Sequence, residues 1–457
     1  MQFKKIPLFI LFISLITVFT TMLVVDDKIS CSVYVLAIST VSVFLISFSI
    51  NKITSPASLL IISSFVFLGS RPFLSLIANY DYRMADWFIV GYMDGYVFYA
   101  NYAISLMYFG YATAIVVSRN YFSVNKNVSF SIYIAPSLRF LFSLFTLGSI
   151  GMILKGLYFF YYIESNSYVD IYQNNISVPT GYDFLSYLFY CSFFLICAFY
   201  RKLRSRKVFL AIAVIIAAFS ALKGSRSEFI TFLLTVSCIY YNEKNVSNLK
   251  LSTKMLVLFV IVFALSEFVS MWRSGGSFIA LLEGNNPIVD FLYGMGVSYI
   301  AVYQSVKLHM VNGISDLSFL FSQIIVTITS ILRIGINLPD VSYSHLASMT
   351  ANPELYSKGY GLGGSYLSES LLAMGLFGCF IIPFLVLTLL NGMEKYTKNS
   401  PLFYFIYFSI LPPLLFIPRE TLLYSLPFLI KSIIVSFIVV LYSNCKSRAL
   451  RYDEKKC

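Results

Sequence analysis

Charge is scarce in this sequence. Only 12% of its 457 residues are Asp, Glu, Lys or Arg, whereas 58% are hydrophobic. A soluble domain is typically about a quarter charged, so a soluble fold of this length is excluded and the long apolar runs have to sit in lipid. Histidine is scarcer, with two in the chain, His309 and His345. The seven cysteines show no C-x-x-C spacing and fall mostly in apolar runs or at the C-terminal end, which argues against a metal cluster or a disulfide framework. A Walker loop, a dinucleotide-binding glycine motif in strand context, an HExxH pair and triad spacing are all missing. Nothing therefore indicates ATP or dinucleotide chemistry, and we expect no cofactor and metal independence. No clear internal repeat appears, which counts against a transporter built from duplicated halves.

What is present is a series of apolar runs of membrane-spanning length, about 20 residues each. They cover 6–25, 31–50, 57–77, 97–117, 138–159, 183–200, 208–222, 227–241, 255–271, 362–391, 400–417 and 420–443. The first follows Lys4 and Lys5 and is followed by Asp26-Asp27-Lys28 rather than a small-x-small cleavage site, so it reads as an uncleaved helix. The expectation is an all-α polytopic membrane protein of about 12 (12–14) transmembrane helices, a single integral membrane domain over 1–457. Between helices 9 and 10 stands a large outer loop, 272–361. Two further apolar stretches in it, 288–306 and 315–332, are candidates for interfacial, re-entrant or spanning helices.

Charge sets the expected orientation. With the N-terminus inside, 21 of the 33 basic residues fall in loops on the cytoplasmic side or in the C-terminal tail, Arg201-Lys202-Leu203-Arg204-Ser205-Arg206-Lys207 among them. Both termini are then cytoplasmic. The net charge of +12 is a topology signal that needs no nucleic-acid partner, and no basic-aromatic patch argues for one.

Five arginines break that bias and collect near the outer face: Arg71, Arg226, Arg273, Arg333 and Arg419. A charge at membrane depth costs about 3 kcal/mol on insertion scales, so it usually has a partner or a task. Spans eight, ten and twelve begin on the same side, at Gly224-Ser225-Arg226, Gly363-Gly364-Ser365 and Pro418-Arg419. Helix N-termini present free N–H groups and partial positive charge. Together these groups suit a phosphate or pyrophosphate on a lipid, which Arg pairs bidentately. Each arginine alone also fits an interfacial snorkelling anchor, Glu228 fits a capping box with Ser225, and Glu420 fits a counter-charge to Arg419. For acid–base work the candidates are Glu369, one turn into span ten, and His345. Glu369 also fits the positioning of an arginine, and His345 a sugar contact. Tyr343, Tyr356 and Tyr360 are candidates for stacking on sugars.

Three motifs in order resemble a known family. Lys223-Gly224-Ser225-Arg226-Ser227-Glu228-Phe229-Ile230 looks like the G-x-R turn of the O-antigen (Wzy) polymerases. The stretch from Gly364-Ser365 through Glu369 to Gly375 and Gly378 resembles their glycine-framed helix, and Pro418-Arg419-Glu420 resembles their final turn. The glycines also fit close helix approach alone. Arg273 and Gly284 stand in an Arg-x10-Gly spacing like one in outer loops of some members. The resemblance covers about the last half of the chain.

It implies a membrane glycosyltransferase of GT-C-like fold in a Gram-negative inner membrane. Such an enzyme takes undecaprenyl-pyrophosphate-linked oligosaccharides as donor and acceptor at the periplasmic face, with a chain-length regulator as partner and membrane lipids around it. In that reading Arg226 and Arg419, supported by Arg273, Arg333 and Arg71, bind pyrophosphate, and Glu369 or His345 is the base. An O-antigen ligase and a flippase for the same lipid-linked unit are the competing readings.

Overall fold

The computed structural model describes residues 5–24, 28–77, 88, 91–121, 135–166, 178–223, 227–242, 264, 287–332 and 334–454. Among them every regular element is helical. The helices are α1 (Lys5–Val24), α2 (Lys28–Ile50), α3 (Pro56–Ile77), α4 (Asp94–Tyr121), α5 (Leu138–Ser165), α6 (Thr180–Phe199), α7 (Arg206–Ala218) and α8 (Ser227–Asn242). After these come α9 (Pro287–Met295), α10 (Ser298–Asn312), α11 (Ser322–Leu332), α12 (Leu338–Val341), α13 (Tyr343–Ala351) and α14 (Pro353–Ser357). The chain ends with α15 (Tyr366–Tyr396), α16 (Pro401–Leu415) and α17 (Leu426–Glu454).

Among the described residues, seven helices are long and apolar enough to cross a membrane, and four shorter apolar helices accompany them. Phe9, Phe12 and Phe19 on α1 and Phe437 on α17 are exposed, a surface that water would penalise and lipid accepts. The chain is a polytopic helical membrane protein. A helix lies on each expected span except 255–271, which is outside the described residues. The last helix differs from expectation: 420–425 are non-helical, with turns at 422–425, and the helix starts only at Leu426.

The chain divides into two compact units. The first is formed by Met1–Phe122, Asn245–Gly392 and Leu415–Tyr424, the second by Ser123–Lys244, Met393–Leu414 and Ser425–Cys457. In the second unit, Gly148 and Gly151 of α5 let α6 approach so closely that an added Cβ would fall 2.2 Å from Phe189 N and Leu185 Cβ. Close approach through small residues replaces the hydrophobic drive that lipid removes. Three cations of the second unit have partners within it. Lys155 Nζ lies 2.7 Å from Asp183 Oδ1, Arg201 donates to the Thr397 carbonyl at 2.8 Å, and Lys431 sits 4.9 Å from the Tyr187 ring centre.

The first unit is tied by polar side chains between helices. Asn101 donates to Ser32 Oγ, Tyr102 to the Val18 carbonyl and Asn391 to Ser118 Oγ. In α3, Pro56 occupies the first turn and the Ser55 side chain accepts from the Ser58 N–H, a favourable helix start. The middle of α3 widens into a π-helical turn at Phe65–Gly69, a device frequent at functional sites.

Two features of the first unit were not visible as such in the sequence. The described part of the expected outer loop, from residue 287 on, carries α9 to α14, helices that include its two candidate stretches, and α10 belongs to the core, with Tyr299, Ile300, Ala301 and Val302 fully buried. α15 is also discontinuous. Met374 (φ −138°, ψ 15°) and Gly375 (φ 61°, ψ −152°) leave the helical region, and the Gly375 conformation is one that essentially only glycine adopts. The break folds the two pieces together, so that a Cβ on Gly378 would fall 2.1 Å from the Ser370 carbonyl oxygen. The short first piece, Tyr366 to Ala373, is buried at every residue.

Candidate active site

The short first piece of α15 carries Glu369, a carboxyl group with 1% exposure. A buried carboxylate without partners would cost several kcal/mol, and Glu369 has two. Ser322 Oγ, at the start of α11, donates to Oε1 at 3.1 Å. The backbone N–H of Leu422 donates to Oε2 at 2.8 Å. These donors lie 47 and 53 residues away. One carboxyl group thus pins the start of α11 and the turn 417–424 to the first turn of α15.

That turn carries Arg419. Ile417–Arg419 form a 3-10 turn closed by the Arg419 N–H donating to the Phe416 carbonyl at 2.9 Å. Glu420 is extended (φ −133°, ψ −178°), and its N–H bonds the Ile417 carbonyl. Gly364, just before α15, lies against this backbone. A Cβ there would sit 3.6 Å from Glu420 C and 3.7 Å from Thr421 N. The glycine before α15 and the carboxyl within it therefore hold the same turn from two sides. The Arg419 guanidinium lies 6.0 Å from the Phe67 ring centre in the π-helical turn of α3, and Phe67 meets Phe416 edge-on at 5.4 Å.

Arg71 stands on the same helix, one turn beyond Phe67, and is buried. Its Nε donates to the Tyr293 carbonyl at 2.9 Å and its guanidinium covers the Tyr293 ring at 4.0 Å. Ser70 donates to the Leu292 carbonyl. The pair thus caps the end of α9, where carbonyls lack helical partners.

His345, on α13, is half-buried, and its Nδ1 is 3.0 Å from Tyr356 Oη. Burial lowers its pKa from the ordinary value, so the ring is neutral around pH 7. Tyr343, expected to meet sugar, is instead a core residue: its ring is fully buried and its hydroxyl donates to the Ala301 carbonyl. Tyr356 is committed to His345.

The structure therefore collects Arg71, Arg419, Glu369, His345, Gly364, Gly375 and Gly378 in the first unit. Arg226, Arg273, Arg333 and Gly224 lie outside the described residues. Sequence reading missed Ser322 and the Leu422 N–H, because donors so distant along the chain leave no local pattern. It also missed a buried hydroxyl chain beside the site, in which Ser64 Oγ, Tyr111 Oη and Tyr366 Oη are spaced at 3.0 and 2.6 Å. The signal was Tyr366 standing inside the glycine-framed motif. No group of three or more metal-ligating side chains occurs among the described residues.

A family model described as O-antigen polysaccharide polymerase Wzy matches residues 6–448 of the chain. The chain belongs to the Wzy family. The match covers nearly all of the sequence, extending the resemblance from the last half to the first. Wzy membership carries a general role as an O-antigen polymerase, a glycosyltransferase-type enzyme of lipopolysaccharide biosynthesis. No curated protein and no solved structure matches the chain.

Proposed function

We propose that this Wzy protein extends O-antigen at the periplasmic face of the inner membrane. It transfers a growing chain from one undecaprenyl pyrophosphate to the nonreducing-end sugar of another lipid-linked repeat unit. The observation that carries this reading is the Arg419 turn, fixed by a buried carboxyl and a bare glycine at the head of the discontinuous helix. A cation held rigidly before substrate arrives is what a developing pyrophosphate charge requires, because a preorganised group need not reorganise during reaction. Discontinuous helices at membrane depth recur where substrate binds.

Arg419 is the proposed pyrophosphate ligand of the first unit; Arg226, Arg273 and Arg333, which lie outside the described residues, are proposed for the same role on the sequence alone. Arg71 supports them by fixing the third span to α9. Glu369 has both oxygens bonded to protein donors, which favours positioning over proton transfer. His345 is neutral, as a base must be, and is also suited to a sugar hydroxyl. The donor lipid supplies its own leaving group, so the reaction runs on positioning, charge stabilisation and one proton acceptor. A chain-length regulator is the expected protein partner.

The test is surface polysaccharide length on a gel. A deletion strain should show core carrying one repeat unit. Wild type should restore the ladder, and well-expressed Arg419→Ala and Arg226→Ala should not. A deletion with no repeat unit on core points to a ligase or a flippase instead, and a full ladder from both arginine variants removes the arginines from the site.

A further inference from the structure

We infer that Glu420 is the proton acceptor of the transfer, with Glu369 as its positioning partner; the inference rests on the polymerase reading above. Three observations place Glu420 in that role. First, it directly follows Arg419 in the same turn, so it is the carboxyl nearest along the chain to the proposed pyrophosphate ligand. Second, its turn is fixed on both sides of the residue: the Glu420 Cα and carbonyl carbon lie 3.8 and 3.6 Å from the Cβ position of Gly364, and Leu422, two residues on, is bonded to Glu369. Third, Glu420 is partly open, whereas Glu369 is sealed. Of the two residues in this corner, Glu420 is the less enclosed.

The local charges support the assignment. Burial pushes the Glu420 carboxyl up to about 7, against the pull of Arg419 beside it. Glu369 faces it from α15 within electrostatic reach. α3, which packs on the turn through Phe67, contributes Arg71 one turn further along. A base whose pKa is near the working pH combines a useful ionised fraction with the strongest proton affinity that fraction allows.

The step balances without a co-reactant. An acceptor sugar hydroxyl gives its proton to Glu420 as its oxygen forms a bond to the anomeric carbon of the donor chain. The carbon–oxygen bond to pyrophosphate breaks, and its electron pair leaves on the phosphate held by Arg419. Glu420 then passes the proton to water or to the departing undecaprenyl pyrophosphate.

The experiment is polymerisation by the purified full-length protein in detergent, with synthetic undecaprenyl-pyrophosphate repeat units and a pH series. Wild-type kcat should rise with pH through about 7 and then level. Glu420→Gln should lose about 10²–10⁴-fold in kcat, the usual contribution of a general base, with little change in KM and no change in melting temperature. Glu420→Asp should recover part of the rate and keep the rising limb at a shifted midpoint. A Glu420→Gln protein that retains its rate and rising limb, while His345→Gln loses both, overturns the proposal in favour of His345 and leaves the polymerase reading standing. Absence of turnover in the wild type, with binding of the lipid-linked unit intact, is instead the failure of that underlying reading.

Discussion

Replacing Glu369 separates two roles that a buried carboxyl in an enzyme can have. In Glu369→Ala, the Leu422 N–H and the Ser322 hydroxyl each lose their acceptor in a closed site. An unsatisfied buried donor costs about 1–3 kcal/mol, so the pair amounts to about 2–6 kcal/mol. Part of this cost should appear as displacement of Arg419. A shift of about 1 Å at a catalytic group is enough to lose about 100-fold in rate.

Glu369→Gln has the opposite geometry. Its carbonyl oxygen accepts from the Leu422 N–H, and its amide donates to Ser322 Oγ once that hydroxyl rotates. Both links survive, and only the charge assistance is lost, about 1 kcal/mol. The Gln protein should therefore polymerise within about fivefold of wild type, whereas the Ala protein should fall by about 100-fold or more and melt earlier. The assay is repeat-unit polymerisation in detergent, with a melting curve for each variant. A folded Glu369→Gln protein with no turnover would refute the positioning role, because it would show that the carboxyl itself has to exchange a proton.

Further outcomes follow from the same contacts. Gly375→Ala forces a side chain into a backbone region closed to it and should cost about 1–3 kcal/mol, read as a lower melting temperature. Gly378→Ala should be worse, since its Cβ meets the Ser370 carbonyl oxygen rather than a side chain that can move. Arg419→Lys keeps the charge but not the two-pronged geometry, so it should retain only part of the activity that Arg419→Ala loses, with about 10-fold weaker binding of a pyrophosphate-lipid in a competition assay. His345 has a lowered pKa in the fold, so the folded state resists its protonation. Stability is unaffected above the ordinary value near 6.5 and falls as pH drops below it. His345→Gln should flatten that part of the melting-temperature profile.

Hydropathy marked where the apolar helices lie, because about 20 apolar residues in a row have few alternatives to a helix in lipid. The three motifs singled out Arg419, Glu369 and the glycines as candidates. What the glycines do was less legible. Gly375 lies in an unbroken apolar run, so only the backbone reveals that the helix stops there. The stretches 288–306 and 315–332 read as interfacial, re-entrant or spanning helices alike, and the burial of Tyr299 and Ser305 in the first unit was not legible in their hydropathy. Arg71 was grouped with the site by its charge, whereas its contacts to Tyr293 are those of a helix cap. Leu422 takes part through its backbone, for which side-chain identity carries no signal.

The break in α15 also acts as a yardstick. An unbroken helix over Tyr366–Tyr396 would be 31 residues long, about 46 Å at 1.5 Å per residue, well beyond a hydrocarbon layer of about 30 Å. The stretch after the break, 376–396, is about 31 Å long and fills that thickness alone. The eight residues before it turn back on that stretch, bringing the Ser370 carbonyl against Gly378, so one glycine decides where the span-length part of the helix begins.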